Sequence, residues 1–184
     1  MAIEQLAWVT FEQFLAHEAA NEGGLIKHEL VGGRMFAMAG GTIRHSSCIV
    51  RVITALFGAA DAEGCRMAQG DVLVRVGDSA YYPDVMVTCG EQVHQRYETG
   101  PCLLAEVLSP STEATDRREK FAAYQSMPTV QAYLLVDHER LEVTAYQRTG
   151  VTWTKQVVSA GGSIELRCPA MTLAFDDLFR NLPG

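Results

Sequence analysis

The chain has 184 residues, 48% of them hydrophobic and 20% charged, a balance that suits one folded domain with a sizeable core and excludes disordered and collagen-like classes. Its formal net charge of −7 argues against a protein that coats nucleic acid through a general basic surface. Any contact with nucleic acid would therefore need a local basic patch, for which Arg117, Arg118 and Lys120 are the candidates.

Taken in order, Thr10 precedes Phe11, Phe14 and Leu15 with Glu12 early, the pattern of a short capped amphipathic helix over 10–20, ended by Asn21 to Gly24. His28 to Val31 and Arg34 to Met38 flank Gly32-Gly33, which predicts a hairpin because such tight turns need positive φ. Gly40-Gly41 breaks the chain again but lacks the spacing and the Lys-Ser/Thr of a phosphate-binding loop. From Ile43 to Ala60 the apolar period is helical, with Ile49, Val52, Ile53, Leu56 and Phe57 on one face and His45 one turn before Ile49. A loop is expected over Asp61 to Gly64.

Asp71 to Val76 alternates as a strand, Val85 to Val87 is a short buried run, and Leu103 to Leu108 is another, with a polar loop from Gly90 to Pro101 between them. Ser109-Pro110-Ser111-Thr112 stops the strand. A helix follows from about Asp116 to Ser126, then a buried strand over Ala132 to Val136. A hairpin over Leu141 to Gln147 and Val151 to Val157 turns at Gly150, and a short helix over Phe175 to Phe179 closes the chain. Strands and helices mixed in this way predict one α/β domain over 1–184 around a central sheet. The five cysteines, Cys48, Cys65, Cys89, Cys102 and Cys168, show no C-x-x-C spacing, and buried reduced thiols are the expected state. No apolar run is long enough to cross a bilayer and no leader is recognisable, so the expectation is a cytoplasmic protein without a membrane partner.

The residues that carry chemistry lie between 83 and 124. Asp84 follows Pro83 and opens an apolar run, so it is either a turn aspartate or a carboxylate facing a cleft. Glu106 lies inside Leu103-Leu104-Ala105-Glu106-Val107-Leu108, where an acid is costly unless it is paired or bound to metal; the alternative is a wet strand face or an arginine partner. Lys120 lies four residues after Asp116, on the same helix face. Asp116 as N-cap with Glu119 three residues on would be a capping arrangement, with Lys120 solvated; the opposite reading has Lys120 reaching back to the acids, with Tyr124 on the same face. His45 and Glu29 are further candidates, each equally readable as a structural residue. Two carboxylates and a lysine suit a phosphodiester hydrolase that uses a divalent metal, since hard oxygen ligands hold Mg²⁺ or Mn²⁺ and an ammonium steadies charge on phosphate.

At these residues the chain resembles the Uma2 (DUF820) family of restriction-endonuclease-type proteins, within the PD-(D/E)xK nuclease superfamily. The resemblance rests on His28-Glu29-Leu30-Val31-Gly32-Gly33, His45, Pro83-Asp84-Val85-Met86-Val87, Glu106-Val107-Leu108-Ser109-Pro110-Ser111-Thr112, Asp116 with Lys120, Tyr124, and Ala132 to Asp137. It implies a restriction-endonuclease-like fold, a central mixed β-sheet flanked by α-helices. It further implies Asp84 and Glu106 as metal-binding acids, Lys120 as the catalytic lysine, Mg²⁺ or Mn²⁺ as cofactor, and DNA more than RNA as the nucleic-acid partner. Glu29, His45 and Asp116 match family positions without a fixed role. In the wider superfamily the lysine lies two residues after the second acid; here that position is Leu108, so the lysine is displaced to the following helix. A homodimer is expected, to cut both strands of a duplex. The rival reading is a non-catalytic binding or assembly module on a nuclease fold.

Overall fold

The computed structural model describes residues 8–21, 26–38, 40–110 and 112–182; most of the expected turn over Asn21 to Gly24, and Ser111, lie outside them. Helix α1 (Phe11–Ala20) starts as expected: Thr10 accepts from the Gln13 amide and the Gln13 side chain caps Thr10 in return, so Gln13 rather than Glu12 completes the box. Strands β1 (His28–Val31) and β2 (Arg34–Ala37) form the hairpin, with Gly32 and Gly33 both at positive φ. Helix α2 (Ile43–Ala62) follows, N-capped by Thr42, and it runs through the first half of the expected loop. Its buried face is Cys48, Val52, Leu56 and Ala60, spaced by four; Phe57 was expected there but is 56% exposed.

Then come β3 (Arg66–Ala68), β4 (Leu73–Val76), β5 (Ser79–Tyr81), β6 (Val85–Thr88), β7 (Tyr97–Glu98) and β8 (Leu103–Val107). Next, α3 (Glu113–Thr115), a π-helical turn (Asp116–Lys120) and α4 (Phe121–Ser126) follow one another without a break. Asp116 lies inside this stretch in helical conformation, so it is not an N-cap; Thr112 precedes the first turn. The chain ends through β9 (Ala132–Asp137), β10 (Glu142–Thr149), β11 (Thr152–Val158), β12 (Ser163–Arg167), β13 (Ala170–Ala174) and α5 (Phe175–Phe179).

Six strands form the central sheet, in the order β11-β10-β9-β8-β6-β3, antiparallel except for the parallel pair β8/β9. A second sheet, β2-β1-β5-β4-β7, and the β12/β13 hairpin complete the strands described. Sequence reading missed β3, β5, β7, β12 and β13, and β7 lies inside the stretch expected to be loop. One face of the central sheet packs against α2, α5 and the β12/β13 hairpin, with Leu103, Ala105 and Val107 pointing that way. Leu104 and Leu108 point to the other face, which is covered by α4 and by Val74 and Tyr81 of the second sheet. The flanking layers are thus two helices with a hairpin on one side and part sheet, part helix on the other. Leu56 is fully buried at the centre of the first layer. Leu56→Ala is expected to lower the unfolding free energy by about 2–5 kcal/mol, read from urea melts.

The cysteines depart from the expected thiols. Cys65 pairs with Cys89 and Cys102 with Cys168, and only Cys48 is free and buried. The cause is strand register rather than local spacing. Arg66 faces Thr88 across β3 and β6, so the residues just outside that pair, Cys65 and Cys89, also meet.

Parallel strands need a crossover connection. Between β8 and β9 that crossover is α3, the π turn and α4, and it leaves β8 immediately after Glu106 and Val107. The connection therefore begins beside the acid and crosses the face to which Glu106 points.

Candidate active site

Glu106 alternates with Leu104 and Leu108, so it points into the layer between the central sheet and α4 rather than to water, and it is 3% exposed. Its Oε1 accepts from the Lys120 ammonium at 3.1 Å and from the Tyr124 hydroxyl at 3.2 Å. Lys120, only 4% exposed, is not a solvated lysine. Its Nζ also lies 3.0 Å from Glu29 Oε1 and 3.4 Å from Asp116 Oδ1. Burial alone would lower the Lys120 pKa, but Glu106, Glu29 and Asp116 outweigh it and hold the ammonium charged. Glu29 is fixed in turn by the Tyr82 amide, which donates to it at 3.1 Å.

Asp84 stands at the entrance to β6, opposite Glu106. Its Oδ2 accepts the Val107 amide at 2.7 Å, and its own amide lies 3.4 Å from Glu106 Oε2. His45, in the first turn of α2, donates from Nε2 to the Val107 carbonyl at 2.8 Å, and the same nitrogen lies 3.6 Å from Asp84 Oδ2. Both backbone groups of the residue after Glu106 are thus held by side chains from two other elements.

A cleft of about 330 Å³ opens over this cluster, lined by His45, Asp84, Glu106, Asp116, Lys120 and His138 among others. A second, of about 320 Å³, opens beside it over Glu29, Phe36, Asp116 and Lys120. The structure brings all six candidates, Glu29, His45, Asp84, Glu106, Asp116 and Lys120, to this one place. It does not bring together the basic patch: Lys120 is buried, and Arg117 donates to Glu113 at 2.8 Å. Three contributors escaped sequence reading. Tyr82 acts through its amide, Thr42 caps the helix that carries His45, and His138 lines the cleft with its ring 6.0 Å from that of His45. His138 could have been found from its place just after a buried strand parallel to β8, since adjacent parallel strands end side by side.

Three carboxylates, from Glu29, Glu106 and Asp116, surround one ammonium, and Asp84 adjoins them beside Glu106. Burial raises the Glu106 pKa well above the carboxylate range; Lys120 opposes this, while Asp84, Asp116 and Glu29 reinforce it. Burial raises the Asp84 pKa as well, against the lowering effect of the Val107 amide and His45. Among the described residues Asp116 Oδ1 is buried without a hydrogen bond and lies 3.4 Å from the Lys120 ammonium. A buried excess of hard anionic oxygens is a donor set suited to a divalent cation of the Mg²⁺ type.

The raised acids imply a pH dependence. A carboxyl whose native pKa lies above its unfolded value contributes most to stability at low pH. That contribution is lost as pH rises from about 4.5, the ordinary value for glutamate, towards the native pKa. Glu106→Gln cannot ionise, so in the metal-free protein its stability relative to the parent is expected to improve as pH rises from about 4 to 8. Urea melts across that range check the sign; a difference that does not change with pH would contradict it.

An α/β fold with a mixed central sheet, and acids meeting a lysine at the β8 crossover, defines a protein of the nuclease class. The chain belongs to the Uma2 family, whose model, described as "Putative restriction endonuclease", matches residues 11–176. It is 35% identical over 161 residues to the uncharacterised protein slr1290 of Synechocystis, covering 85% of each chain. It is 29% identical over 157 residues to the uncharacterised protein sll1609 of the same organism, covering 82% of this chain and 86% of that one. Its fold is shared with a crystal structure from Anabaena variabilis, described as "a putative nuclease belonging to DUF820", at a TM-score of 0.76 and 17% identity. The match covers 95% of this chain and 99% of the other.

Proposed function

We propose that the chain, acting as one domain in the cytoplasm, is a divalent-metal-dependent endonuclease that hydrolyses DNA phosphodiester bonds. The observation that supports this most is the meeting of Asp84, Glu106 and Lys120 in a cleft where carboxylates outnumber cations. Asp84 and Glu106 would hold Mg²⁺ or Mn²⁺, and the Asp116 oxygen without a hydrogen bond and the excess of acid over ammonium fit that role. When bound, the metal supplies Lewis acidity and lowers the pKa of its water to the range of a usable nucleophile.

The remaining steps belong to the chain's own residues. Lys120 offers N–H donors to the attacking water or to the negative charge developing on the phosphate. It enters from the crossover, yet it meets the acid on the face that Leu108 shares, so the displaced lysine reaches the acid that the usual spacing serves. Glu29 and Asp116 keep Lys120 charged and aimed. His45 and Asp84 hold Val107, and so fix the strand end that carries Glu106.

The test is a cleavage assay of the full chain on plasmid, single-stranded DNA and RNA with Mn²⁺, Mg²⁺ or EDTA. Metal-dependent nicking of DNA, abolished by EDTA, is expected. Cleavage of RNA alone would change the substrate. No cleavage of any substrate and no rise in melting temperature with either metal would make the chain a binding module.

Cutting both strands calls for two sites, and we propose a homodimer. Ile43, Val50 and Phe57 recur every seven residues along α2 and are 82%, 60% and 56% exposed, so one outward stripe of that helix is apolar. Phe57→Glu is expected to shift a dimer to monomer in analytical ultracentrifugation while the circular dichroism spectrum stays unchanged. A parent that is monomeric at micromolar concentration removes the proposal.

A further inference from the structure

Away from the cleft, four cysteines from four separate segments meet at one end of the central sheet. Cys65 precedes β3, Cys89 follows β6, Cys102 precedes β8, and Cys168 sits in the turn between β12 and β13. Two disulfides need only bring sulfurs together in pairs, yet here the pairs themselves converge. Cys89 Sγ lies 3.2 Å from Cys168 Sγ and 3.5 Å from Cys102 Sγ, and these three sulfurs all lie within 4.8 Å of one another. The position of Cys89 does not suit exchange between the two disulfides. An attacking sulfur must lie in line with the bond it breaks, and would then be about 2 Å nearer to one sulfur than to the other. Cys89 instead sits beside the Cys102–Cys168 bond, almost equidistant from its two ends.

Three mutually close sulfurs, with Cys65 held beside them through its bond to Cys89, approach the arrangement that one tetrahedral ion requires. Thiolates around zinc at about 2.3 Å stand about 3.8 Å apart, only a few tenths of an ångström beyond the distances from Cys89 to Cys102 and Cys168, so Cys65 has the longest way to move once its bond to Cys89 is reduced. We propose that, once both disulfides are reduced, Cys65, Cys89, Cys102 and Cys168 bind one Zn²⁺ as a structural site. The site is independent of the cleft and would join β3, β6 and β8 to the C-terminal hairpin. Each disulfide takes two electrons and two protons from a dithiol reductant, which leaves as its own disulfide. The four thiols then release their protons to solvent as the ion binds.

The site is closed on its core side and reaches solvent at Cys89. Cys102 is buried, and Cys102 and Cys168 pack with the core beneath α2. The neighbouring Glu63 accepts the Ala170 amide at 2.7 Å through Oε1, which fixes the hairpin beside Cys168, while its Oε2 lies 4.0 Å from Cys65 Sγ. No C-x-x-C knuckle marks the ligands because each is delivered by the register of a different strand.

The experiment uses the full chain, reduced with a dithiol, loaded with Zn²⁺ or Co²⁺ and then freed of excess metal. One zinc per chain is expected, and the cobalt form should show thiolate-to-cobalt charge-transfer absorption, a signature that carboxylates cannot give. Both readouts should survive in Cys48→Ala and in the double variant Asp84→Asn/Glu106→Gln, and should be lost in Cys102→Ser and Cys168→Ser. The wild-type spectrum decides even where a serine variant folds poorly. A reduced chain that presents four titratable thiols and no sulfur–cobalt band overturns the proposal. So does a chain that keeps both disulfides in the presence of dithiol and zinc.

Discussion

Lys120→Met is expected to lower the unfolding free energy by about 3–5 kcal/mol, the cost of leaving three buried acids without the ammonium they share. The methionine fills a similar volume, so little of the loss comes from a cavity. What remains is Glu29, Glu106 and Asp116 turned towards a point where no positive charge stands. Two of the three are among the least exposed charged residues described, at 3% and 1%. Adding Glu106→Gln to Lys120→Met removes one of these two buried charges and keeps an acceptor for the Tyr124 hydroxyl, so the double variant is expected to recover part of the loss. Urea melts of the two single variants and the double variant measure the coupling. Strictly additive losses would mean that Lys120 and Glu106 do not sense each other.

The second large effect concerns chemistry. Asp84→Asn and Glu106→Gln are each expected to reduce metal-dependent DNA cleavage by roughly 10³-fold or more, because each neutralises an oxygen donor of the proposed metal site. Stability separates loss of the site from loss of the fold. At a Mn²⁺ concentration 100 times the dissociation constant, the parent should gain about 2.7 kcal/mol, and both variants should lose that gain while still melting cooperatively. Lys120→Met, by contrast, should keep some metal-induced stabilisation and lose cleavage, since it offers no ligand. Cleavage at the parental rate by either acid variant would sink the assignment of that acid. Metal stabilisation that survives in both would place the ion elsewhere.

Much of the architecture could be read from the chain itself. The Gly32-Gly33 and Gly150 turns, the long helix after Thr42 and the acid inside Leu103 to Leu108 are local signals, and local signals survive folding. What escaped was set at a distance. Arg66 to Ala68 becomes a strand only because β6 lies beside it, and Tyr97-Glu98 only because β4 does. The cysteine pairs follow the same rule: their partners lie 24 and 66 residues apart in sequence. Of the candidate site, Glu106 and Lys120 were close enough in sequence to suggest a meeting. Glu29, 77 positions before Glu106, could be placed against Lys120 only by the second sheet. Lys120 also shows why a capping pattern can mislead. Asp116 and Glu119 have the right spacing for a helix start, but Thr112 had already begun the helix one turn earlier.

The wide turn from Asp116 to Lys120 gives this segment two independent rotational frames. A π turn amounts to one residue more than the α-helix it interrupts. One residue of an α-helix turns the chain by about 100°, so the extra residue re-phases everything that follows. Asp116 and Lys120 can therefore look into the cleft while Phe121 stacks on Tyr146, and Tyr124, packed on Tyr133, brings its hydroxyl to the same Glu106 oxygen. Deleting Glu119 would merge the two frames into one. Either the ammonium would swing out of the acid cluster, or the aromatic wall would slide off the sheet. The surplus residue is thus a gearing between core and chemistry, and a shorter chain could keep only one of them in phase.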